Sequence, residues 1–139
     1  MMIIDAKHMI AGRVGTFAAK QALQGEQVAI INSESAVISG TRVRVLEHWK
    51  NKYARGVPRK GPFVSRMPDR FLRRIIRGML PNHQPRGREA FKRIMCYIGS
   101  PKLDGKVVKL DGASAEKLPG KYVTIGQVCT ALGGKHEER

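Results

Sequence analysis

Between residues 41 and 103 the chain carries 17 lysines and arginines against only Glu47, Asp69 and Glu89, a net charge of +14 out of +15 for the whole protein. Residues 1–40 are neutral and residues 104–139 carry +1. A block this one-sided repels itself, so it cannot supply a core of its own beyond the apolar faces of its helices. The platform must come from the flanking thirds, and the block itself calls for a polyanion. The chain has 139 residues, 42% of them hydrophobic, enough to build one core. It reads as one domain over 1–139, with the basic helix–arm–helix block 41–103 inside it. The longest stretch free of Lys, Arg, Asp and Glu, Tyr122–Gly134, has 13 residues, short of the roughly 18–20 a membrane span needs. Met1-Met2-Ile3-Ile4-Asp5 has neither a basic leader nor a long apolar run, which argues against a secretory signal. Cys96 and Cys129 form no CxxC. Such sparse use suits a reducing cytosol, with both thiols as small buried hydrophobes.

The flanks read as scaffold. Ile3-Ile4 starts a short buried strand. From Ala11 to Gln24, Val14, Phe17, Ala18, Ala22 and Leu23 recur at helical spacing, with Gly25 as the stop. Val28–Ile31 is a continuous apolar run. Strand, helix, strand with short connections is a βαβ unit and predicts a parallel sheet. Met95–Ile98, before Gly99-Ser100-Pro101, supplies a further candidate strand, while Val107-Val108 is ambiguous. Thr124–Leu132 reads as a closing helix with Ile125, Val128, Cys129 and Leu132 on one face. The expected fold is α/β, compact, with a mainly parallel central sheet of about four strands flanked by helices, plus a basic Pro/Gly-rich arm.

Within the block, Val45, Leu46, Trp49 and Tyr53 make a helical stripe over Thr41–Arg55, with Arg42, Arg44, Lys50, Lys52 and Arg55 on the other faces. Trp49 is read as a core residue rather than a base-stacking platform. The segment Arg55–Arg66, with Arg59 and Lys60 among two prolines and two glycines, is an arm expected to order against phosphates. In the helix predicted over Pro68–Leu80, Pro68 suits the first position and Asp69 the first turn. There Phe71, Leu72, Ile75, Ile76, Met79 and Leu80 share one face, and Arg70, Arg73, Arg74 and Arg77 centre on the other. Guanidiniums grip phosphate oxygens bidentately. A basic amphipathic helix can instead lie on an anionic membrane, but this apolar face is needed for folding. Arg86 and Arg88 open another basic helix with Lys92 and Arg93, turning Ala90, Phe91 and Ile94 inward.

No phosphate-cradling GxxxxGK[ST] or GxGxxG is present. Gly12-Arg13 stands at a strand-to-helix junction where an RNA phosphate is more plausible than a free nucleotide. His8, His48, His83 and His136 lack ligand spacing, and Ser33, Ser35 and Ser39 lack a base or a nucleophile elbow. No catalytic, cofactor or metal site is therefore expected. An RNA-modifying enzyme would need a titratable constellation, and a DNA-binding regulator would need a clearer helix-turn-helix.

The series Ile3-Ile4-Asp5-Ala6, Gly12-Arg13, Val28–Glu34, Ile38-Ser39-Gly40, Gly61-Pro62, Arg66-Met67-Pro68, Arg77–Pro81, Arg86-Gly87 and Tyr97–Pro101 resembles the large-subunit ribosomal protein thirteen family over residues 3–103. Arg77-Gly-Met-Leu-Pro81 is its most specific part. Lys102-Leu103-Asp104 replaces the His-Pro-His tract common in bacterial members, and the chain lacks the long C-terminal extension of eukaryotic ones, so the archaeal branch fits best. The resemblance implies an α/β domain that is a structural constituent of the large subunit in the cytoplasmic ribosome. It implies binding to large-subunit ribosomal RNA beside neighbouring ribosomal proteins, with no membrane and no small-molecule substrate. The expected RNA-binding residues are Arg13 and the basic residues named above from Arg42 to Arg93.

Overall fold

The protein is described over residues 1–135 of a computed structural model; His136 lies outside the described residues. Strand β1 (Met2–Asp5), helix α1 (Ala11–Leu23) and strand β2 (Val28–Ile31) form the expected βαβ unit. All four β2 residues are buried, as a central parallel strand requires. Strand β3 (Val37–Ser39), helix α2 (Arg42–Ala54), helix α3 (Pro68–Arg77) and helix α4 (Pro85–Lys92) follow. Strands β4 (Ile94–Cys96), β5 (Lys106–Val108) and β6 (Tyr122–Thr124) and helix α5 (Ile125–Ala131) complete the order. The main sheet runs β4-β2-β1-β5, every pair parallel, and β3 pairs antiparallel with β6 in a separate ribbon.

One large apolar cluster runs from Ile4 to Leu132 and holds the helices against one sheet face. Ile3, Ala29 and Ile31 point to the other face, where the chain after β4 lays Tyr97 and Leu103 over them. Motifs distant in sequence meet at the carboxyl ends of β1, β2 and β4. Asn32, at φ +55°, donates from Nδ2 to Asp5 Oδ1 at 2.8 Å. The buried Glu34 carboxylate accepts the Gly99 amide at 3.1–3.2 Å, and Gly99 returns its carbonyl to the Asn32 amide at 2.8 Å. Gly99 takes φ +66° there, a conformation glycine adopts freely.

Several boundaries move. The strand expected over 95–98 starts at Ile94, which the sequence pattern had placed on the preceding helix; it is fully buried either way, paired with Val28. Helix α3 stops at Arg77 because Gly78, Met79 and Leu80 tighten into i−3 hydrogen bonds. Its apolar face buries Phe71, Leu72, Ile76 and Leu80, leaves Ile75 half-buried, and exposes Met79 at the edge beside Gly15. The ambiguous Val107-Val108 belongs to edge strand β5. Thr124 is not the first turn of the closing helix but its cap, in a reciprocal capping box with Gln127.

Gly87 explains its place after Arg86: a Cβ there would overlap the Pro81 carbonyl. Gly87→Ala should lower stability by about 2 kcal/mol in denaturant unfolding, although alanine is the better helix former. Cys96 and Cys129 are both free and buried, and burial pushes each thiol up to about 12. Their protonated forms are thus favoured by folding; that contribution is complete below pH about 9 and is lost as pH rises towards 12. Native protein at pH 8 should resist alkylation by iodoacetamide, with both thiols reacting after denaturation, as mass spectrometry would register.

Candidate nucleic-acid interface

Helix α3 positions the centre of the basic surface. Pro68 starts it, Asp69 sits in its first turn, and Phe71, Leu72 and Ile76 lock its rotation by entering the core. Arg70 and Arg77 are then exposed, and their guanidinium groups make no protein hydrogen bond or ion pair among the described residues. Arg74 is exposed but donates from one guanidinium nitrogen to the Phe63 carbonyl at 2.6 Å. Arg73 departs from the outward expectation. It is half-buried, donates from Nε to the Ile94 carbonyl at 2.9 Å and from a terminal nitrogen to the Phe91 carbonyl at 3.3 Å, and lies 4.4 Å over the Phe91 ring. At 100° per residue Arg73 stands about 60° from Ile76, at the margin of the buried stripe, where the end of α4 is within reach.

The four arginines nonetheless line one cleft of about 170 Å³, together with Phe63 and Phe91. Phe63 is 69% exposed and was not among the expected site residues. Its signal was present in the sequence: an aromatic in an arm with almost no core to bury it. The arm follows a defined path. Val57 and Gly61 bridge, Lys60 and Gly61 both donate to the Val57 carbonyl, and Val64 enters the core at 8% exposure. Arg55, Arg59 and Lys60 remain exposed along it. Arg66 hydrogen-bonds the Tyr53 hydroxyl and stacks 4.8 Å over that ring.

On α2 only Val45 is fully buried, with Leu46 and Trp49 half-buried and Tyr53 exposed. Arg42, Arg44 and Lys50 face solvent, while Lys52 sits 4.6 Å over the Trp49 ring. Trp49 packs on Phe71 at 4.4 Å between centroids, as a core residue should. Arg86, Arg88 and Lys92 are exposed on and around α4. Arg93 is held instead, 3.8 Å from Glu89 and 3.3 Å from the Ala22 carbonyl at the end of α1. Arg13 is exposed and bonds the Gly112 carbonyl.

Within the basic block, that Arg93–Glu89 contact is the one ion pair among the described residues. The other cations of the block have no carboxylate partner among the described residues. Ser33 Oγ is buried without a partner, and no three His, Cys, Asp or Glu side chains come together in a metal-holding group among the described residues. No helix there is long and apolar enough to cross a membrane.

The sequence pattern of the family described as Ribosomal protein L13 matches residues 1–103. The chain belongs to that family. Among its L13 relatives is the protein named "Large ribosomal subunit protein uL13" of Methanococcoides burtonii, 43% identical over 138 residues, covering 97% of this chain and 99% of that one. The same-named protein of Methanopyrus kandleri is 42% identical over 138 residues, covering 94% and 86%. That of Haloarcula marismortui is 42% identical over 134 residues, covering 95% and 90%. These L13 relatives are archaeal, and the family match takes in strands β1 to β4, the arm and helices α1 to α4.

The geometry separates arginines that staple the L13 fold from those that face solvent. Arg73→Gln should cost about 1–3 kcal/mol in urea unfolding, because two carbonyls lose charged donors. Arg70→Gln and Arg77→Gln should each change stability by less than about 0.5 kcal/mol.

Proposed function

We propose that this chain is a structural constituent of the large ribosomal subunit, folded as one domain and acting without catalysis. In this reading it holds large-subunit ribosomal RNA through its basic block, beside neighbouring ribosomal proteins, and supports subunit assembly and translation in the cytoplasm. The observation that carries the reading is the set of exposed cations from α2, the arm, α3 and α4, none of them paired with a carboxylate among the described residues, in a chain whose family and relatives bear ribosomal names.

The exposed set divides by chemistry. Arg70, Arg74 and Arg77, spread along about 10 Å of helix axis, offer planar forks to successive phosphates. Arg42, Arg44, Lys50, Arg55, Arg59, Lys60, Arg66, Arg86, Arg88 and Lys92 extend that field, with Lys52 and Arg13 at its margin. Arg73 and Arg93 contribute charge while fixing the helices that carry the others. Backbone shape dominates recognition, since duplex RNA hides its base edges in a deep narrow groove.

With about six to ten phosphate contacts, affinity for a large-subunit RNA transcript should fall about a thousandfold or more between 50 and 200 mM salt. The triple change Arg70→Gln, Arg74→Gln and Arg77→Gln should lower the salt slope by about 2–3, with the circular dichroism spectrum retained. An unchanged slope, or preference for duplex DNA over the transcript, would overturn the reading.

A further inference from the structure

Beside the arginine cleft, a second cavity of about 600 Å³ opens between the first turn of α1, strand β3, helices α2 and α3 and the arm. That volume is within the roughly 300–1,000 Å³ of small-ligand pockets. Its floor is apolar and aromatic, with Ile38, Trp49 and Ile75 all half-buried. Lys52, Arg55 and Arg74 belong to its wall, which contains no carboxylate. An apolar floor with an all-cationic wall suits a flat, weakly polar ring tethered to anions.

We propose that this cavity seats one unpaired nucleotide of the bound RNA, with its base against Trp49, Ile38 and Ile75 and its flanking phosphates against Lys52, Arg55 and Arg74. The inference rests on the RNA-binding reading above and adds to it a base-holding site. Two further observations support it. Arg74 lines both this cavity and the α3 cleft, so a strand whose phosphates follow the α3 arginines passes the mouth. Gly12 is exposed on the wall, in helical conformation, and a Cβ there would meet nothing within 4 Å. Neither backbone conformation nor packing within the chain asks for glycine at this position, where alanine would favour the helix. Space kept open at a cavity wall is what an entering base requires. Trp49 packs on Phe71 and carries Lys52 4.6 Å over its ring; with Lys52 turned to a flanking phosphate, the ring is open to a base, as aromatic rings are in complexes with unpaired RNA.

Trp49 is the sole tryptophan, so its fluorescence reports on the cavity. The full chain would be titrated with an in vitro transcript of archaeal large-subunit ribosomal RNA. Gly12→Leu adds bulk to the cavity lining from the start of α1 and Ile75→Trp adds it from α3. Both variants should bind the transcript about tenfold more weakly and with an unaltered salt slope; Gly12→Leu should also lose the quenching of Trp49 that RNA causes. One unpaired nucleotide shielded by the parent from a base-directed chemical probe should become reactive in both, while backbone protections persist. Unchanged affinity and protections in both variants would overturn the base site and leave the RNA-binding reading standing. An effect confined to one variant would be local damage and would overturn it too. Saturable quenching by adenosine or uridine monophosphate that the transcript does not compete away would reassign the cavity to free nucleotides. Failure of the parent to bind the transcript in a salt-sensitive way would sink both readings.

Discussion

The burial of one side of α3 is the constraint on which the rest of this molecule depends. Phe71, Leu72 and Ile76 enter the same apolar cluster as Ile4, Ile30 and Val128. At about 1.5–3 kcal/mol for each large side chain removed from water, that burial outweighs the mutual repulsion of cations spaced along an exposed face, which water and salt screen. The core therefore sets the rotation of the helix, and the rotation decides which guanidiniums meet solvent.

The same logic divides the basic residues into two groups. Arg73 and Arg93 lie near the ends of α4 and α1, where carbonyls lack intrahelical partners, and they bond the Phe91 and Ala22 carbonyls there. Arg74 and Arg66 are intermediate, tied to the arm through the Phe63 carbonyl and the Tyr53 ring while still exposed. The guanidiniums of Arg70 and Arg77, with Arg42, Arg44 and Lys50 of α2, face solvent, while Lys52 lies over the Trp49 ring.

The neutral flanks carry out the complementary task. Asp5, Asn32, Glu34 and Gly99 join the ends of three strands by hydrogen bonds, placing the family's dispersed motifs at one end of the sheet. They are polar groups satisfied within the protein, remote in character from the unpaired cations of the block, and their role is positional. Gly87 against the Pro81 carbonyl is the counterpart between α3 and α4, so the most specific motif of the resemblance, Arg77 to Pro81, records a helix end and a close backbone approach.

Periodicity and charge by themselves determined the βαβ unit, the amphipathic α2 and α3, the closing helix and the location of the positive block, because each is written in residues close together in the chain. Tertiary structure alone decided the rest. The ribbon of β3 with β6 joins residues 37–39 to 122–124, runs too short to show a period. The retention of Arg73 depends on α4 ending beside it, the exposure of Phe63 on where Val64 anchors the arm, and the cavity under Trp49 on five segments that no local pattern brings together. Local sequence sets which face of a helix is apolar; only the packed chain sets what lies opposite its edges, since that depends on contacts whose partners are tens of residues away.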